Sequence, residues 1–183
     1  MKRSYHFFIL AVFAVWLLFL ATLYKKPSLP IYGDMPNFTL VERSGEGVSK
    51  NDLLGNVWVV DFIFTRCAGP CPMMSAAVSR LARELPQVKF LSITSDPGYD
   101  TPPVLSKYAG EYDVDPSRWL FFTGDKSTID TVANGLKFSR LDEPALHSTR
   151  FVLLDKKGRV RGYYSSDNAQ SIAQLKRDAN FLR

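Results

Sequence analysis

A chain of 183 residues has room for one domain and an appendage. Its formal charge of +5 suggests a basic protein, but four of the 23 Lys and Arg residues (Lys2, Arg3, Lys25 and Lys26) flank a single apolar stretch, leaving 19 against 18 acidic residues elsewhere. That near-neutral remainder carries no basic patch and excludes nucleic acid as the expected partner.

Phe7 to Tyr24 has no charge across 18 residues, about the length that crosses a bilayer. Leu23 and Tyr24 stand where a signal peptide would need small residues for cleavage, so an uncleaved transmembrane anchor is expected, preceded by residues 1–6. The flanking charge is balanced and leaves orientation open by the positive-inside rule. A long domain behind an N-terminal apolar signal is usually exported. Lys25 to Pro36, with Pro27, Pro30 and Pro36, reads as a stiff, extended linker.

Residues 37–183 read as one domain. FTLV and VERSGEGVS form a short N-terminal hairpin extension turning at Gly45 and Gly47. Val57 to Thr65 is a strand apolar on both faces except at Asp61, as in a sheet covered on both sides. Pro72 then opens a helix with Met74, Ala77, Val78, Leu81, Ala82 and Leu85 on one face. Val88 to Thr94 is a second strand. A turn-rich loop, SDPGYD, leads to a capped helix start at Thr101-Pro102-Pro103, with Val104, Leu105, Tyr108, Ala109 and Tyr112 at helical spacing. Trp119 to Thr123 is a third strand, followed by a helix carrying Ile129, Val132, Ala133 and Leu136. Phe151 to Leu154 and Val160 to Tyr164 pair around the Asp155–Gly158 turn. Ile172, Leu175, Ala179 and Leu182 stripe a last helix. The order predicts an α/β thioredoxin-like central sheet with helices on both faces.

The only two cysteines, Cys67 and Cys71, fall between the first main strand and its helix. Strand ends are where open α/β sheets place their sites, and a helix N-terminus favours thiolate over thiol. A structural disulfide is a poor explanation, because so small a loop gains little stability from closure. Thiolates are soft donors suited to Cu(I), zinc or Fe–S clusters, and two make an incomplete site. Of the two histidines, His6 lies at the membrane edge. His147 enters the strand Phe151–Leu154, and in a thioredoxin-like plan that loop packs against the cysteine loop. Cys67, Cys71 and His147 would form a Cys₂His set suited to copper. Met74 belongs to the apolar stripe, whereas Met73 lies off it, near the cysteines. Asp96 and Asp100 read as turn formers or as acceptors supporting the site. Asp61 is either partnered in the core or close to the site. Trp119, Tyr163 and Tyr164 read as core or surface aromatics.

Four segments carry a family resemblance in order: FIFTRCAGPCP, SITSDPGYDTP, WLFFTG and HSTRFVLLDKKGRVRGYY. Together with the N-terminal apolar stretch they resemble the Sco (SenC) family of membrane-anchored, thioredoxin-fold copper proteins, from about Asp34 to the end. Ala68 departs from the proline common there. The resemblance implies Cu(I) or Cu(II) bound by Cys67, Cys71 and His147. It also implies delivery of that copper to the copper-bearing subunit of cytochrome c oxidase, or preparation of that subunit's cysteines. Such a protein is a chaperone rather than an enzyme. It would depend on a thioredoxin-like reductant and sit in a bacterial cytoplasmic membrane with its domain facing outward.

The competing reading is a membrane-anchored thiol-disulfide oxidoreductase, with Cys67 and Cys71 catalytic and no need of His147. A Cys-His hydrolase would leave one cysteine without a role. A peroxidase lacks its motif.

Overall fold

The computed structural model describes Phe13, Trp16 and residues 28–112, 115–138 and 149–183. Eight strands form one sheet: β1 (Gly33–Asp34), β2 (Thr39–Glu42), β3 (Gly47–Ser49), β4 (Val57–Ile63), β5 (Val88–Thr94), β6 (Trp119–Thr123), β7 (Arg150–Leu154) and β8 (Arg159–Ser165). Five helices accompany them: α1 (Lys50–Leu53), α2 (Pro70–Glu84), α3 (Pro102–Ala109), α4 (Lys126–Gly135) and α5 (Ala169–Phe181). Across the sheet the order is β1-β8-β7-β4-β5-β6-β2-β3. The pairs β4–β5 and β5–β6 are parallel, while β7 runs antiparallel to both β4 and β8. This is the thioredoxin-like α/β plan expected from the sequence.

β4 lies at the centre, and all seven of its residues are buried. Successive strand residues face opposite ways. Val57, Val59 and Ile63 therefore join one core with α2, α3 and α5, while Trp58, Val60 and Phe62 join a second with α4. Asp61 has the parity of the first core. The hairpin β2–β3 pairs Thr39 with Ser49 and extends the β6 edge.

Two boundaries flanking the cysteines differ from the expected ones. β4 ends at Ile63 rather than Thr65, because Thr65 turns away to bond Asp100. Helix α2 begins at Pro70 rather than Pro72, so both prolines occupy its first turn, where neither withholds a needed N–H.

The later part of the stretch expected to be a stiff, extended linker through Pro36 packs onto the domain. Gly33–Asp34 pairs with Val160 and Arg159 of β8, and Met35 is buried. Arg161 Nε donates to the Pro30 carbonyl at 2.9 Å, and its Nη2 donates to that of Leu29. Asp155 holds the same guanidinium through Nη1 at 2.8 Å. No proline pattern signals such a dock, since the grip comes from a side chain 131 residues away.

No helix among the described residues is long and apolar enough to cross a membrane. Apart from Phe13 and Trp16, the expected anchor lies outside the described residues, as do His6 and His147.

Candidate functional site

The cysteine loop is built by two hydrogen-bond systems. Within the loop, the Cys67 N–H donates to the Phe64 carbonyl at 3.1 Å and turns the chain off β4. Gly69 caps α2, and a Cβ there would lie 3.8 Å from Cys67 Sγ, so the backbone passes close beneath the sulfur. Cys71 follows as the second residue of α2.

The second system ties the loop to the end of β5. Asp100 is fully buried and accepts from the Thr65 N–H at 3.0 Å, from Thr65 Oγ1 at 2.5 Å and from Thr94 Oγ1 at 2.5 Å. It thus joins the exits of β4 and β5, two residues before Cys67. Asp96 pairs with Arg66 at 2.6 Å, and the Arg66 guanidinium lies 4.1 Å from the centre of the Tyr99 ring. Arg66 is well exposed, so solvent screening leaves that ion pair little weight in stability. Asp100 carries the positioning and Asp96 only borders it, although both sit in one loop motif.

Cys67 and Cys71 are free thiols, 8% and 3% exposed. Their surroundings polarise them in opposite directions. Burial pushes the Cys67 thiol up, but the Cys71 N–H, the Cys71 thiol and the Gly69 N–H all donate to its sulfur and bring it below the ordinary cysteine value. Burial pushes Cys71 well up. Donating to Cys67 raises it further, as do the nearby charges of Cys67 and Asp61, against a smaller lowering by the Phe64 N–H. The pair is polarised, with Cys67 shifted toward thiolate and Cys71 toward thiol. Thiolate is the nucleophile and the metal ligand, so Cys67 reacts first.

Asp61 lies under this pair, 2% exposed in the middle of β4. Ser92 Oγ donates to its Oδ1 at 2.6 Å, and Trp119 Nε1 donates to that same hydroxyl at 2.9 Å. Its Oδ2 has no hydrogen-bond partner among the described residues. Burial raises the Asp61 carboxyl from 3.8 to about 7, outweighing the Ser92 bond. Both sequence alternatives for Asp61 hold: it is partnered in the core, and it acts electrostatically on Cys71. The lone acid in an apolar strand was the legible signal. Its partner Ser92, 31 residues on, was not.

Because the folded-state value exceeds the unfolded one, protonated Asp61 favours folding. That contribution is complete below about pH 4 and is lost as pH rises through 7. At about 1.4 kcal/mol per unit, the loss is on the order of 4 kcal/mol. Asp61→Asn is expected to flatten the decline in urea midpoint between pH 4 and 7.5 for the reduced domain. An unchanged slope would show that another group carries it.

Among the remaining residues singled out in the sequence, Met74 is buried in the core, whereas Met73 is 68% exposed beside the loop. Trp119 is core. Tyr164 bonds Asp178 at 2.7 Å, and Tyr163 lies against Tyr32. The structure brings Cys67, Cys71 and Asp61 together. Among the described residues, no group of three or more His, Cys, Asp or Glu side chains is arranged to hold a metal ion. The donor chemistry nonetheless suits copper: two adjacent reduced sulfurs, one already biased to thiolate, both largely buried.

The SCO1/SenC family profile matches residues 33–179. The SCO1 protein homolog of Bacillus subtilis is 32% identical over 146 residues, covering 74% of this chain and 76% of that protein. The structure of BsSco, described as a Sco-family cytochrome c oxidase assembly protein with a disulfide switch, superposes with a TM-score of 0.71. It is 28% identical and covers 84% of this chain and 98% of that one. Bradyrhizobium japonicum ScoI, solved with copper bound, shares the fold at a TM-score of 0.62 and 23% identity, over 79% of this chain and 99% of its own.

Proposed function

The chain belongs to the SCO1/SenC family, and from that membership we propose that it is a copper metallochaperone for cytochrome c oxidase assembly. Cys67 and Cys71 hold the copper, with His147 as third ligand, and the recipient is the binuclear copper centre of the oxidase subunit. The observation that carries this reading is the pair of buried, reduced, oppositely polarised thiols at the start of α2. Copper itself is supported by those soft donors and by the copper-bound ScoI relative. Residues 7–24 anchor the protein in a bacterial cytoplasmic membrane, with the domain outside. Their uncharged length supports this, as does the exposure of helical Phe13 and Trp16, at 55% and 56%.

The same polarisation favours a second activity at the same pair. Cys67 thiolate attacks a partner disulfide, forming a mixed disulfide and releasing one partner thiolate. Cys71 then gives up its proton and attacks Cys67 Sγ, releasing the second thiolate and leaving Cys67–Cys71 oxidised. A dithiol partner, itself oxidised to a disulfide, restores the pair. In the oxidised state neither sulfur is a thiolate, so copper loading requires reduction.

The reduced domain should therefore retain one copper through desalting, and the oxidised domain should retain almost none. Equal retention in both states would remove the thiolates from the binding site and with them the chaperone reading.

A further inference from the structure

The edge of the sheet where the chain enters the domain has properties the copper site does not use. Lys25, Lys26 and Pro27 alone separate the apolar stretch ending at Tyr24 from Ser28. Fully extended, those few residues reach roughly 14 Å. There is no slack beyond them. Arg161, with its guanidinium held by Asp155, grips the carbonyls of Leu29 and Pro30. The Tyr32 N–H donates to the Val160 carbonyl at 2.9 Å, and Lys137 Nζ donates to the Tyr32 carbonyl at 3.2 Å.

The same edge is apolar where it meets solvent. Ile31 is 54% exposed, Tyr32 47% and Phe181 49%. Phe181 and Arg177 of α5, with Ser28 and Leu29, line a hollow of about 290 Å³. Arg177 and Arg183 put positive charge beside Phe181, with Asp178 in the same hollow. Exposed aromatic and aliphatic side chains mixed with Arg and Lys are the composition of a surface that settles into the headgroup region of an anionic bilayer.

We propose that this edge, formed by Ile31, Tyr32 and Phe181 around the Leu29 hollow, is a bilayer-contact face that fixes the orientation of the domain. The inference rests on the anchor assigned to residues 7–24, which holds the edge within reach of the membrane surface. Its consequence concerns the copper site. β1 is the outermost strand, and β4 lies three strands further in, about 14 Å at the usual strand spacing. The cysteine loop lies beyond the end of β4. It is therefore displaced sideways from the contact face by that distance.

The test uses the full chain, one copy per phospholipid nanodisc of phosphatidylethanolamine and phosphatidylglycerol, in a Cys67→Ser/Cys71→Ser background. Single replacements Ile31→Cys, Phe181→Cys and Tyr99→Cys carry an environment-sensitive fluorophore, with Tyr99 reporting the cysteine-loop end. Lipids bearing a shallow nitroxide quencher should quench positions 31 and 181 at least threefold more than position 99. Carbonate-washed vesicles report the anchor separately. Chain retained after washing, with equal quenching at all three positions, overturns the contact face and leaves the anchor standing. Chain lost on washing overturns the anchor and the inference together.

Discussion

Cys67→Ser is expected to slow reduction of a small test disulfide by about a thousandfold, because it removes the thiol whose surroundings favour the thiolate. Cys71→Ser should leave the first attack largely intact and stop the second, so that a mixed disulfide on Cys67 accumulates and is visible by mass. The asymmetry follows from geometry. Cys67 accepts hydrogen bonds at the helix start, whereas Cys71 is more deeply buried, donates to Cys67 and has the Asp61 carboxyl nearby. Equal losses in the two variants, or a trapped mixed disulfide on Cys71, would reverse the assigned order of attack.

The second large effect lies away from the site. Asp155→Ala is expected to destabilise the domain by about 3–5 kcal/mol, because it strands a buried guanidinium. Asp155 is 5% exposed and accepts from Arg159 Nε and Arg161 Nη1, each at 2.8 Å, and from the Lys157 and Arg159 N–H groups at 2.9 and 3.0 Å. Burial opposes its ionisation, but the bonds from Arg159, Arg161 and Lys157 outweigh it and hold the carboxyl below its ordinary value. The stabilisation is therefore present above about pH 4 and is lost as pH falls through the lowered value. A fall of about 10 °C in Tm is expected at neutral pH. The exposed Arg66–Asp96 pair is the matched control, and Asp96→Ala should move Tm by no more than about 2–3 °C. Similar shifts in both variants would show that burial does not separate the two pairs.

These two predictions draw on different levels of information, and the difference shows what the sequence could reveal. The cysteine loop was legible because each cue was local: a β-rich run, two thiols, prolines compatible with a first helical turn, and a stripe of apolar residues at helical spacing. The β7–β8 hairpin was legible at Asp155–Gly158 for the same reason. What stayed hidden depends on contacts between distant residues. Asp100 looked like a turn former, and only the fold brings Thr65, 35 residues earlier, to its carboxylate. Arg161 reads as an ordinary strand residue until Leu29 and Pro30 are placed against it. Three prolines suggested a stiff, extended linker through Pro36, whereas backbone pairing to β8 makes Gly33–Asp34 a strand that no propensity would favour. Asp61 lies between these cases, conspicuous in its apolar run yet uninterpretable without Ser92 and Cys71. His147 lies outside the described residues, so its role as third ligand rests on the order of the chain and on family membership.

Copper titration of the reduced domain, residues 28–183, beside Cys67→Ser, Cys71→Ser and His147→Ala, tests the central claim most directly. One equivalent bound tightly, with a thiolate-to-copper charge-transfer band weakened by each of the three substitutions, is the predicted result. Loose binding indifferent to His147, alongside rapid reduction of a test disulfide, would contradict it and make the protein a dithiol oxidoreductase.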